Sequence, residues 1–196
     1  MRSWPEDVTL DGQFVRLEPL SEFHHDDLVE ASNDGDLHQL WYTWIPDAHG
    51  MKAEIETRMT RENMLAFAII DKESRKAVGM TTYMHIDALN KRVEIGSTWY
   101  RKSVQRGPLN TECKLLMLRH AFEDLDCIAV EFRTHGLNLQ SRAAIERLGA
   151  KFDGLLRNHM RMSNGTLRDT AVYSIINSEW PTVKTHLEWQ MVKPRG

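Results

Sequence analysis

The chain has 196 residues, a formal net charge of −3, 41% hydrophobic residues and 27% charged ones. That is enough chain for one domain with a sizeable core and little room for a second. The small negative charge gives no electrostatic basis for binding nucleic acid or an anionic membrane surface. Met1–Asp7 lacks the apolar stretch of a secretory leader. The longest apolar runs, such as Met64–Ile70, are too short to span a bilayer. The expectation is a single cytoplasmic domain over residues 1–196. Its two cysteines, Cys113 and Cys127, make neither a disulfide framework nor a zinc signature, and the nine histidines lack ligand spacing, so no metal site is expected.

In chain order, residues 14–20 alternate like an opening strand that stops at Pro19. Ser21 then offers an N-cap for a helix over 22–32, with acidic residues in its first turns. A second helix is expected over about 51–62. Between the two lies the aromatic stretch Trp41-Tyr42-Thr43-Trp44, in a loop-like setting. Strands at 65–71, 77–86 and 92–100 are separated by short polar turns and predict an antiparallel meander.

Residues 108–123 give the clearest helix, with Cys113, Leu116, Met117, His120 and Ala121 on one face. A β-branched strand follows at 127–134, then a helix at 138–148 stopped by Gly149. Strands at about 154–162 and 168–176 flank Asn164-Gly165, a strong turn signal. Ser178 offers a cap for the last helix. Strand 92–100, helix 108–123 and strand 127–134 form a β-α-β unit, which makes those two strands parallel. The fold class is α+β, on a mixed sheet.

Two motifs stand out in this order of elements. One is Val93-Glu94-Ile95-Gly96-Ser97-Thr98-Trp99-Tyr100 followed by Gln105-Arg106-Gly107-Pro108-Leu109-Asn110-Thr111. The other is Asn138-Leu139-Gln140-Ser141 with Glu146-Arg147-Leu148-Gly149-Ala150. At this separation and in this order the two motifs resemble the GNAT superfamily of N-acetyltransferases, in its RimJ/RimL-like branch, and the likeness runs from Val15 to Pro181. It implies a mostly antiparallel central sheet flanked by helices, with a splayed parallel strand pair forming a cleft for acetyl-CoA.

The loop Gln105–Thr111 would bind the coenzyme diphosphate through main-chain donors at a helix tip. Arg106, Gly107, Leu109, Asn110 and Thr111 supply the cradle. The family pattern has glycine where this chain has Pro108, which removes one N–H while suiting the first helical turn. Thr98, Trp99 and Tyr100 would face pantetheine almost as an added strand. Asn138 would sit at the cleft mouth, and Arg142 and Arg147 would serve the coenzyme phosphates.

Acyl transfer to an amine needs a proton acceptor for the nucleophile and a proton donor for the departing thiolate. Glu94, a carboxylate between Val93 and Ile95, is the first choice of base, because burial there would raise its pKa. The resemblance implies Ser141 as proton donor; Tyr173 is the rival acid, and His135 the rival base. Trp41, Tyr42 and Trp44, with Trp99, suit an acceptor pocket or, equally, a satellite apolar cluster under a long loop. The expected reaction is direct acetyl transfer from acetyl-CoA to a primary amine, on a small molecule or a protein N-terminus. The alternative is a coenzyme-binding sensor or interaction module without turnover. Dimerisation is common in the family, so a homodimer is a further expectation.

Overall fold

The computed structural model describes residues 4–35, 37–41, 43–105 and 107–193. Tyr42 and Arg106 lie outside the described residues. An eight-stranded sheet has the order β1-β2-β3-β4-β5-β6-β8-β7. Its strands are β1 (Leu10–Asp11), β2 (Val15–Pro19), β3 (Leu65–Asp71), β4 (Ala77–Asp87), β5 (Arg92–Tyr100), β6 (Ala129–His135), β7 (Lys151–Arg161) and β8 (Leu167–Ile176). Every neighbouring pair is antiparallel except β5 and β6, which run parallel. The expected meander and β-α-β unit are both present.

Helices cover both faces. On one lie α1 (His25–Asn33) and α2 (Met51–Thr60), whose Leu28, Ala31, Met51 and Ile55 pack with Ala66, Ala68, Met80 and Trp99 of the sheet. On the other lie α3 (Pro108–Arg119) and α5 (Trp180–Val192), around Cys113, Met117, Val183 and Leu187. The short α4 (Leu139–Arg147) follows β6 and adds Ile145 to this second core. Both cysteines are buried free thiols.

Several boundaries differ from the sequence reading. The segment 22–32 begins as a 3-10 turn, Glu22–His24, before α1 starts at His25. The Ser21 backbone N–H donates to His24 Nδ1 at 3.1 Å, which holds that tighter turn. Helix 108–123 is α-helical only to Arg119 and widens into a π-turn over His120–Asp124. Burial there extends beyond one face, to Glu112, Lys114, Leu115 and Leu118. Ser178 does not cap α5; Glu179 occupies that position. β7 starts three residues before Gly154, which sits inside the strand at a register shift rather than at its edge. Gly149 and Gly165 have φ of +99° and +84°, as the helix stop and the hairpin turn require.

Glu112 ties α3 to the start of the sheet. Its carboxylate accepts the backbone N–H groups of Gln13, Phe14 and Val15 at 2.7, 2.6 and 2.8 Å. Glu112 lies in the N-terminal half of α3, so the contact holds that half of the helix against the start of β2.

Candidate active site

β5 and β6 pair over only three residues, Arg92 with Ala129, Val93 with Val130 and Glu94 with Glu131. Beyond Glu94 the strands part. A bulge aids the separation: Ser97 and Thr98 both oppose Thr81 between the pairs Met80–Trp99 and Thr82–Gly96. Ser97 takes the left-handed conformation, with φ +47°. At Gly79 a Cβ would lie 2.1 Å from the Trp99 carbonyl oxygen, so the closest approach of β4 to β5 requires glycine. An open cleft of about 2040 Å³ follows from the splay. Single drug-sized ligands occupy roughly 300–1,000 Å³, so this volume accommodates two substrates together.

Glu94 stands where the strands separate and lines the cleft. It is 5% exposed. Burial pushes its pKa above the ordinary carboxylate value, opposed by the hydrogen bond and charge of His85 and by the charge of Arg133. His85 Nδ1 lies 2.7 Å from Glu94 Oε2, and Arg133 Nε lies 3.5 Å from the same oxygen. Arg133 is held more closely by Glu131, at 2.5 Å. The carboxylate is therefore desolvated yet oriented, a fitting state for a general base.

Toward the other end, Thr98, Trp99, Tyr100, Gln105 and Asn110 all line the cleft. Gln105 Nε2 donates to the Tyr100 carbonyl oxygen at 2.9 Å, closing the loop against β5. Gly107 is the N-cap of α3, with Pro108 at the first helical position. Leu109 sends its side chain into the core, leaving its main chain in the first turn. Gly107, Thr111 and Arg147 line a smaller hollow of about 190 Å³ at the same helix tip. The first turn of α3 thus offers main-chain N–H groups beside a hollow that Arg147 also lines, a setting that suits an anion.

Asn138 is the N-cap of α4: its Oδ1 accepts the Ser141 backbone N–H at 2.9 Å. Both residues line the cleft. Among the described residues the Ser141 hydroxyl makes no hydrogen bond, which leaves it available to a ligand.

Arg142 and Tyr173 are engaged elsewhere. Arg142 Nε donates to the Tyr173 hydroxyl at 2.8 Å, and that hydroxyl donates to Glu146 at 2.9 Å. The guanidinium also lies 5.6 Å from the Phe152 ring centre. Neither residue lines the cleft. His135 is buried; its ring meets Trp41 edge-on at 5.2 Å, and burial lowers its pKa. It too stands behind the lining. Trp41 and Trp44 are 52% and 68% exposed and face the cleft; Trp99 lines it too, but most of its ring is packed in the core.

Sequence reasoning missed Lys114, a lysine 7% exposed whose Nζ donates to Thr98 Oγ1 at 2.7 Å and to Thr81 Oγ1 at 3.3 Å. It lines the cleft, and burial lowers its pKa to about 8. The available signal was a cation four residues after Asn110, on one helix face, beside the apolar run 115–118. His85 and Arg58 were missed as well: strand register brings His85 beside Glu94, and the packing of α2 on the sheet brings Arg58 to the Ser97 carbonyl.

A core built on a splayed parallel pair, with a helix tip at the mouth of the opening, defines a coenzyme A-dependent acyltransferase fold. The chain belongs to the GNAT acetyltransferases: the family model described as "Acetyltransferase (GNAT) domain" matches residues 15–151. The acyl donor of that family is acetyl-CoA.

Among solved structures, a GCN5-related N-acetyltransferase from Brucella melitensis is 36% identical, with a TM-score of 0.88 over 96% of this chain and 87% of that one. Among curated proteins, YdaF of Bacillus subtilis (strain 168), named "Putative ribosomal N-acetyltransferase", is 32% identical over 103 residues. That alignment spans 52% of this chain and 55% of the relative, little more than half of its length. The protein named "Uncharacterized N-acetyltransferase p20" of Bacillus licheniformis is 27% identical over 71% of this chain and 77% of its own.

Proposed function

We propose that the chain transfers the acetyl group of acetyl-CoA directly to a primary amine held on the α1/α2 face of the sheet. The observation that carries this reading is the position of Glu94, a desolvated carboxylate where β5 and β6 separate, in a cleft that continues to the tip of α3. The diphosphate would bind at Gly107–Thr111 with Arg147. Pantetheine would run along the unpaired edge of β5, past Thr98 to Tyr100.

In the reaction the amine nitrogen attacks the thioester carbonyl carbon and the carbon–sulfur bond breaks. Glu94 takes the amine proton, directly or through one water, and the Ser141 hydroxyl gives its proton to the departing thiolate. Direct transfer needs no covalent enzyme intermediate. Both buried thiols support that reading, because burial raises the pKa of each and so disfavours the thiolate. The engagement of Tyr173 with Arg142 and Glu146 favours Ser141 as the acid.

The test is thiol release from acetyl-CoA across a panel of amines. Glu94→Gln should reduce acceptor-dependent release by about 10²–10⁴-fold with coenzyme binding retained. Coenzyme binding without release for any amine would instead favour a non-catalytic module. Absence of any calorimetric or thermal response to millimolar acetyl-CoA would remove the reading altogether.

A further inference from the structure

The cleft lining as a whole carries an excess of cations, one of which stands apart from the coenzyme end. Although the whole chain is net negative, the described residues lining the cleft include eight lysines and arginines against four aspartates and glutamates. Some of these cations belong to the coenzyme end, such as Arg147. Arg168 does not.

Register puts Arg168 with the base. Glu94 pairs with Glu131, His135 pairs with Thr170, and residues two apart on a strand share a face. Glu94, Glu131, Arg133, His135, Thr170 and Arg168 therefore all belong to one face of the sheet. Trp41 touches that same face through His135.

Arg133 has its carboxylates, Glu131 and Glu94. Arg168 has none: its Nε donates to Thr170 Oγ1 at 3.0 Å, and no carboxylate of the described residues comes within ion-pair distance. Burial and the neighbouring charge of Arg133 both disfavour its cationic form, and only Glu94 nearby opposes them. The Arg133 charge is already countered by Glu131 and Glu94, so the guanidinium without a carboxylate partner in this partly desolvated cleft is that of Arg168. A guanidinium fork matches the paired oxygens of a carboxylate or phosphate.

We infer that the acceptor amine carries an oxyanion, a carboxylate or a phosphate, which pairs with Arg168 and so presents the amine to Glu94. This rests on the reading of the cleft as an acetyl-transfer site. An acidic small amine satisfies it; the basic N-terminal segment of a cationic protein does not.

The experiment compares matched amines by thiol release from acetyl-CoA. In one arm, aromatic and aliphatic α-amino acids are set against their carboxamides; in the other, O-phosphoethanolamine is set against ethanolamine. The expected result is a kcat/KM at least about tenfold higher for the anionic member of one arm. The arm that shows it identifies the oxyanion. Arg168→Gln should collapse that ratio toward one, and Arg168→Lys should restore part of it.

Equal or better turnover of the neutral members overturns the inference and leaves acetyl transfer intact. So does a preference that survives Arg168→Gln. If acetyl-CoA binds and neither arm is turned over, the inference fails. If acetyl-CoA does not bind, the reading beneath it fails first.

Discussion

Arg58 Nη1 of α2 donates to the Ser97 carbonyl oxygen at 3.0 Å, so a helix packed on the sheet grips the bulge in β5 beside which β5 and β6 part. The same guanidinium reaches Thr82 Oγ1 at 3.1 Å and, through Nε, Glu54 at 2.6 Å. Ser97 holds a backbone conformation that non-glycine residues seldom adopt, and Arg58 helps to pay for it. Arg58→Met leaves the Ser97 carbonyl and the half-buried Glu54 carboxylate without their partner. A stability loss of about 2–4 kcal/mol is expected in denaturant titration. The KM for acetyl-CoA should rise as the bulge relaxes; an unchanged KM would show that the bulge holds itself.

The pH profile should report Glu94. The base acts as the carboxylate, so kcat/KM must fall as pH drops through a pKa that lies above the ordinary glutamate value. His85 lowers that pKa through its hydrogen bond and charge. Removing it in His85→Ala should move the acidic limb to higher pH. A limb that stays in place, or moves down, would assign it to another group.

Lys114 leads to an opposite expectation for stability and for activity. Its pKa is lowered from 10.5 to about 8 in the fold, so between those values the unfolded chain binds more protons than the native one. Stability contributed by this group therefore rises with pH across that window, and below it the buried charge is a standing penalty. The upper bound is on the order of 3 kcal/mol. Lys114→Met should raise Tm at pH 7, with the advantage shrinking toward pH 10. Thr81 and Thr98 lie 2.7 Å apart and can bond each other when the ammonium is gone. Turnover should fall, because the side chain lines the cleft. A variant less stable than wild type at pH 7 would contradict the penalty.

Glu112 is the complementary case, a buried carboxylate whose partners are all main-chain N–H groups. Glu112→Ala strands three donors at the start of β2. A loss of roughly 3 kcal/mol or more is expected by thermal or denaturant unfolding. Glu112→Gln should recover part of it, since the amide retains one accepting oxygen. Equal losses in both variants would point to packing rather than hydrogen bonding.

Much of the fold was legible because its signals are local. Gly149 and the Asn164-Gly165 turn punctuate the chain where the backbone requires positive φ, and the segments 65–71 and 92–100, set between short polar turns, are strands as expected. The start of α3 was legible too, since Gly107-Pro108 opening a helix is a contiguous motif. The acceptor side was not. Glu94 was found from its neighbours in sequence, but its partners His85 and Arg133 come from two other strands and depend on register. Arg142 and Tyr173 illustrate the converse: each belongs to a suggestive motif, and tertiary packing turns both toward Phe152 and Glu146. Helical periodicity also hid Lys114, because a cation beside an apolar run reads as solvent-facing until the surrounding strands enclose it.

The parting of β5 from β6 leaves main-chain donors and acceptors unmade in the middle of the sheet rather than along its rim. Whatever fills that gap finishes the fold, so occupancy and folding free energy are linked. At a hundred times its Kd, such a ligand adds about 2.7 kcal/mol, a large share of what holds a domain together. The resistance of this protein to unfolding and proteolysis should therefore track the supply of its own acyl donor.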